Sequence, residues 1–149
     1  MIRKATMRDV KAIQDLINHY AKNDKMLPRS LNEIYENMHD FWVYEEKGRV
    51  MGCCALHPTW EDLAEVRSLA VAEKSHKKGV GTKLVKEALK KAKELKVKKV
   101  FALTYVPEFF EKLGFKRIEH SKLPHKIWSD CIKCVKFPDC DENALEIEI

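Results

Sequence analysis

No stretch of this 149-residue chain stays apolar long enough to span a bilayer, and Met1-Ile2-Arg3-Lys4 has none of the character of a secretory leader. Both absences point to a cytoplasmic protein with no membrane partner. There is no internal repeat, no low-complexity tract and no linker, so residues 1–149 read as a single domain long enough to bury a real core. Cysteine is sparse and odd in number, at five, which suits a reducing compartment better than a disulfide scaffold. Also missing is any basic surface interleaved with aromatics, or any nucleic-acid-binding motif, so nucleic acid is not an expected partner. The net charge of +5 then has two other readings: solvated lysine-bearing helix faces, or an anionic small ligand held near residues 76–82.

What is present reads as a globular protein, with 45% hydrophobic and 34% charged residues. Ile2 to Ala5 forms a short strand. Thr6-Met7-Arg8-Asp9 is a capping box opening a helix whose apolar face is Val10, Ile13, Leu16, Ile17 and Tyr20. Ser30-Leu31-Asn32-Glu33 is a second box, opening a shorter helix. Phe41 to Tyr44 and Arg49 to Leu56 are hairpin strands turned at Glu46-Lys47-Gly48. His57 to Asp62 reads as a polar connection stopped by Pro58. Leu63 to Val71 is the next strand. A helix after Gly81 buries Leu84, Val85, Ala88, Leu89, Ala92 and Leu95. Val97 to Thr104 is a strand parallel to Leu63–Val71 if that helix is a crossover. Glu108 to Leu113 is a short helix with Gly114 as its left-handed cap, and Phe115 to Ile118 a strand. Leu145, Ile147 and Ile149 alternate with charges as a final edge strand, open to pairing across a two-fold axis in a homodimer.

The strand-to-helix junction His76-Lys77-Lys78-Gly79-Val80-Gly81-Thr82 is the most informative stretch. The first N–H groups of a helix have no partners inside it and favour anions, and glycines allow a ligand close to the backbone. The glycine spacing alone favours an ordinary strand-to-helix turn. Its setting is more specific. Glu65-Val66-Arg67-Ser68-Leu69-Ala70-Val71 precedes it, and Phe109-Phe110-Glu111-Lys112-Leu113-Gly114-Phe115 follows about thirty residues on. Together these stretches resemble the GCN5-related N-acetyltransferase (GNAT) superfamily. Leu27-Pro28-Arg29-Ser30, Gly52-Cys53-Cys54-Ala55-Leu56, Phe101-Ala102-Leu103-Thr104 and Leu123-Pro124-x-Lys126 are similar to the acetyltransferase domain of bacterial N-acetylglutamate synthases. That resemblance implies an α/β (α+β) fold: one mixed, mostly antiparallel sheet of roughly six or seven strands flanked by about four helices. It implies acetyl-CoA as co-substrate, L-glutamate as acceptor and a place in arginine biosynthesis. The longer synthases carry an amino-acid-kinase-like domain ahead of this one. Residue 1 begins the acetyltransferase pattern here, so an arginine site of that kind is not expected.

The resemblance also implies roles for residues. The backbone of Leu69, Ala70 and Val71 is expected to pair with the pantetheine arm, leaving this strand splayed from its neighbour at Thr104. His76, Lys77, Lys78, Gly79, Val80, Gly81 and Thr82 are expected around the pyrophosphate, with Phe109, Phe110 and Lys112 also on the acetyl-CoA side. His76 stands where the family keeps Arg or Gln, and Lys77 and Lys78 offer compensating charge. Glu65 is the candidate general base, because an acceptor ammonium must lose its proton before it can attack a thioester. Arg67 shares its strand face by the period of two, as a carboxylate anchor or as Glu65's partner. Arg29 is the second anchor for a dicarboxylic substrate, with Lys133 and Lys136 as further cations. Many family members place a thiolate-protonating tyrosine where Phe110 stands. Phenylalanine cannot donate, so the thiolate leaves unaided or another group, such as Tyr105, acts. Packing is the default reading of Phe109 and Phe110.

Cys131-x-x-Cys134 with Cys140 and His125 has some character of a zinc site, but the third spacing is irregular and no metal is expected. Cys53 and Cys54 adjoin within a strand and so face opposite sides. Two rival functions stay open: acetylation of a protein N-terminus or lysine, which needs an open groove, and a non-catalytic acyl-CoA-binding module.

Overall fold

The computed structural model describes residues 1–23, 26, 28–119 and 143–149, and of Lys77 only the backbone. The expectations for Lys133, Lys136, His125, Cys131, Cys134 and Cys140 therefore lie outside the described residues. The strands are β1 (Ile2–Lys4), β2 (Phe41–Glu46), β3 (Arg49–Trp60), β4 (Leu63–Val71), β5 (Lys99–Thr104), β6 (Lys116–Ile118) and β7 (Asn143–Glu148). The helices are α1 (Val10–Ala21), α2 (Leu31–Glu36), α3 (Val80–Glu94) and α4 (Pro107–Lys112). They build one seven-stranded sheet in the order β1-β2-β3-β4-β5-β7-β6, antiparallel except for β4 against β5. This is the mixed sheet and helix set expected.

Each face of the sheet has its own core. On one side α1 lays Val10, Ile13, Ile17 and Tyr20 against Phe41, Val43, Cys53, Ala55 and Ala70. On the other, α3 buries Leu84, Val85, Ala88 and Ala92 against Cys54, Leu56, Val66 and Val100. Cys53 and Cys54 go to opposite faces, and burial pushes the Cys53 thiol up to about 12. Leu95 departs from the helix face assigned to it. It caps α3 and is 44% exposed, since the helix ends before the next turn could bring it round.

Two segments differ from the sequence reading. His57 to Trp60 continues β3 rather than forming a loop. Pro58 sits beside a bulge at Thr59, where the register steps between Pro58↔Ala64 and Trp60↔Leu63, and the Thr59 hydroxyl donates to the Leu63 carbonyl at 3.1 Å. A bulge near a strand end is where a sheet tolerates the missing N–H of proline. The second difference concerns β7. It is not an edge strand: it pairs with β5 on one side and β6 on the other, so it offers no free edge to a second copy. Alternation shows that a segment is a strand, but not which neighbours it takes.

A second bulge positions the site. Cys53 pairs with Ala70 and Ala55 with Arg67, so Ser68 and Leu69 together oppose Cys54. Ser68 takes a left-handed φ of 56°. The extra residue switches the parity of β4. Glu65 and Arg67 share a face with Ala70, while Val66 and Val71 pack on the other.

Candidate active site

The site lies where β4 leaves β5. These two strands pair only over Leu63↔Lys99, Ala64↔Val100 and Glu65↔Phe101. Beyond that, β5 continues against β7, through Thr104↔Asn143, while β4 bulges at Ser68 and runs on beside β3. A wedge opens between Leu69–Val71 and Leu103–Thr104, as the sequence reading of a splayed strand requires. Thr104 is buried, and its hydroxyl accepts from Val106 N–H at 3.0 Å.

At the base of the wedge Glu65 is 7% exposed. Arg67 donates to its Oε1 through Nε at 3.1 Å and Nη2 at 2.8 Å. The predicted shared face is therefore an ion pair. Arg29, remote in sequence, donates to Glu33 at 3.2 Å and lines the same recess as Arg67. Ser30 caps α2 by accepting from Glu33 N–H at 3.2 Å, and this fixes the turn from which Arg29 projects. Ile34, Asn37, Phe41 and Ser68 also line that recess, so both cationic candidates within the described residues are brought together beside the bulge.

The phosphate-side candidates sit at the start of α3. Glu73–Lys78 form a 3-10 turn, and Gly79, at φ 70°, is the N-cap of α3. The two glycines meet different demands. Gly79 supplies the left-handed turn. Gly81 makes room for Phe109, whose ring would stand 3.3 Å from a Cβ there. Val80 is buried, Thr82 half-buried, and Lys112 exposed. Lys78 donates to Glu46 at 2.8 Å, so its ammonium leans towards β2. Phe110 is 3% exposed and packs edge-on to Phe109 and Phe115, which is the packing role.

His76 does not stand alone. Its Nε2 lies 2.7 Å from the Val71 carbonyl oxygen and 2.7 Å from the Tyr20 hydroxyl, which itself donates to that carbonyl. Burial holds the Tyr20 phenol above its ordinary range. Sequence reasoning placed Tyr20 only on an apolar helix face, because the hydroxyl's partner is 51 residues away. It also missed a second pair: His57 Nδ1 lies 2.7 Å from Asp40 Oδ2, and His57 stands directly across from Glu65 in the β3–β4 ladder. Reading residues 57–62 as a loop hid that alignment.

The residues fit an acyl-CoA. The wedge exposes a β4 edge that β5 does not pair, and an amide-bearing arm matches such an edge. The α3 N-terminus opens at a left-handed glycine, and the fully buried Ser75 hydroxyl in the turn before it has no partner among the described residues. Also among the described residues, no three His, Cys, Asp or Glu side chains are placed to hold a metal ion.

Comparisons with known proteins agree with this geometry. The model of the acetyltransferase (GNAT) family matches residues 7–115. An uncharacterized N-acetyltransferase of Chlorobaculum tepidum is 43% identical over 97% of this chain and 93% of its own length. An amino-acid acetyltransferase of Mycobacterium tuberculosis is 36% identical over 87% of this chain and 76% of its own. N-acetylglutamate synthase of Neisseria gonorrhoeae, solved with coenzyme A and N-acetyl-glutamate, superposes with a TM-score of 0.91 at 25% identity. That superposition covers 99% of this chain and 34% of the synthase, so the chain spans about a third of that protein.

Proposed function

The chain belongs to the acetyltransferase (GNAT) family and uses acetyl-CoA, and from that premise we propose that it acetylates the α-amine of L-glutamate. The observation that carries this reading is the convergence of Arg29 and Arg67 on one recess beside Glu65. A dicarboxylic amino acid needs two cationic anchors and a proton acceptor near its amine, and these three side chains supply them. The relatives named as amino-acid acetyltransferases, and the synthase fold with its bound N-acetyl-glutamate, support the same acceptor class.

In this reading acetyl-CoA lies along Leu69–Val71, with its pyrophosphate at residues 76–82 and its thioester near Thr104. Arg29 and Arg67 hold the carboxylates of glutamate. Glu65 takes a proton from the ammonium on Oε2, because both of its hydrogen bonds from Arg67 go to Oε1. The freed amine attacks the thioester directly. Phe110 donates nothing, so sulfur departs as thiolate, which its ordinary acidity permits. Residues 1–149 act as one domain, in the cytoplasm, with product feeding arginine biosynthesis.

Thiol release from acetyl-CoA, measured against each free amino acid and a peptide amine, tests the acceptor. Glutamate is expected to give the strongest signal. A stronger peptide signal replaces it with a protein acceptor, and binding without release leaves only an acyl-CoA-binding module. Arg29→Ala is expected to raise KM for glutamate roughly tenfold or more, from loss of a charge-assisted hydrogen bond, with KM for acetyl-CoA unchanged. The reverse pattern removes Arg29 from the acceptor site.

A further inference from the structure

We propose that Asp40 and His57 form a second proton-accepting pair beside Glu65, acting on the acceptor amine that the preceding reading assigns to this site. An ammonium that becomes an amide loses two protons, and one carboxylate accepts one. In the β3–β4 ladder His57 is the direct partner of Glu65, so their side chains leave the same face with Cβ atoms about 5 Å apart. Asp40, in the short turn before β2, receives His57 Nδ1–H at 2.7 Å, with both side chains about one quarter exposed. In the neutral ring that bond keeps the proton on Nδ1 and leaves Nε2 as the lone-pair nitrogen. The same arrangement, an imidazole backed by a carboxylate, stabilises an imidazolium as it forms.

The step balances without any further reactant. Glu65 Oε2 takes the first proton from the ammonium. The nitrogen lone pair then forms the N–C bond to the thioester carbon. As the tetrahedral carbon collapses, the C–S bond breaks and sulfur leaves as thiolate. The second nitrogen proton passes to His57 Nε2, directly or through one water. The thiolate takes back one proton, and the other goes to solvent. Among the described residues, Asp40 from the turn pairs with His57, Glu65 stands across from it on β4 and carries Arg67, and Lys4 from β1 acts on Asp40 by charge. Lys4 Nζ donates to the neighbouring His39 carbonyl.

His57→Gln and Asp40→Asn test the pair in the full chain. The acceptor is whichever free amino acid the wild-type protein turns over fastest. The readouts are kcat and KM across the pH range, coenzyme A affinity by calorimetry, and the thermal midpoint. H57Q is expected to lower kcat on the order of 10²-fold or more, with coenzyme A affinity unchanged and one ionisation gone from the acidic limb of the profile. D40N is expected to lower kcat on the order of tenfold with the same affinity, as loss of an orienting partner does. Added imidazole is expected to restore part of the kcat of His57→Ala. An H57Q kcat within about threefold of wild type, with an unchanged profile, overturns the pair while leaving the acceptor reading intact. If H57Q fails to fold, D40N decides, and an unchanged D40N profile overturns the proposal. Wild-type protein inert towards every free amino acid overturns the acceptor reading, and this pair with it.

Discussion

Asp9 accepts hydrogen bonds from three sides. Arg3 reaches its two oxygens at 2.8 and 3.0 Å, and the Thr6 N–H and hydroxyl reach Oδ2 at 2.7 and 3.1 Å. The Arg3 guanidinium holds its carboxyl below the usual carboxylate range, and burial only partly opposes this. A depressed pKa stabilises the fold fully above the unfolded value of about 4, and the gain is lost as pH falls through the folded value. Urea unfolding is therefore expected to show Asp9→Asn less stable by roughly 1–3 kcal/mol at pH 7. The gap to wild type narrows as pH falls below about 4, and a gap that stays constant refutes the assignment. Thr6 and Asp9 were legible in the sequence because a capping box is local. Arg3 was not, since β1 must first pair with β2. The same distinction runs through the site. Glu65 and Arg67 could be matched by the period of a strand, whereas Tyr20–His76 and Asp40–His57 depend on contacts between elements far apart in the chain.

Among the elements, the start of α3 separates two glycines that a motif treats alike. Gly79→Ala forces a side chain into φ 70° and is expected to destabilise by roughly 1 kcal/mol or more. Gly81→Ala meets only the edge of the half-buried Phe109 ring at 3.3 Å and gains helix propensity of up to about 1 kcal/mol. Its stability is expected to stay within about 1 kcal/mol of wild type. Thermal unfolding of both variants checks the order, and G81A falling below G79A refutes it. The element pattern was mostly readable, because apolar periodicity in α1, α3 and β4 follows directly from their burial. β3 was cut short because proline reads as a stop. A bulge that excuses it leaves no trace in composition.

Across the whole molecule, the family, the sheet class and the meeting of Glu65 with Arg67 were all within reach of the sequence. The order of the strands was not. β7 places Leu145, fully buried, in the core beneath α3, although it lies at the far end of the chain from β1 and β2. Leu145→Ala is expected to cost about 2–5 kcal/mol, measured by denaturant unfolding with an unchanged slope. A cost below about 1 kcal/mol rejects β7 as a core strand. Within the described residues no helix is long and apolar enough to cross a membrane.

The insertion of β7 between β5 and β6 also sets a timetable for synthesis. Among the described residues β6 pairs only with β7, and β5 beyond Phe101 relies on β7 for its ladder. A ribosome releases β1 to β4 and α3 well before residue 143, so the first four strands can assemble while the far side of the wedge is still unmade. The sheet closes only when residues 143–148 emerge and slot between two strands already waiting. Loop closure of that kind is slow and leaves strand edges exposed in the interval. The half of the site built on β4 thus forms early, and the half built on β5 is completed last.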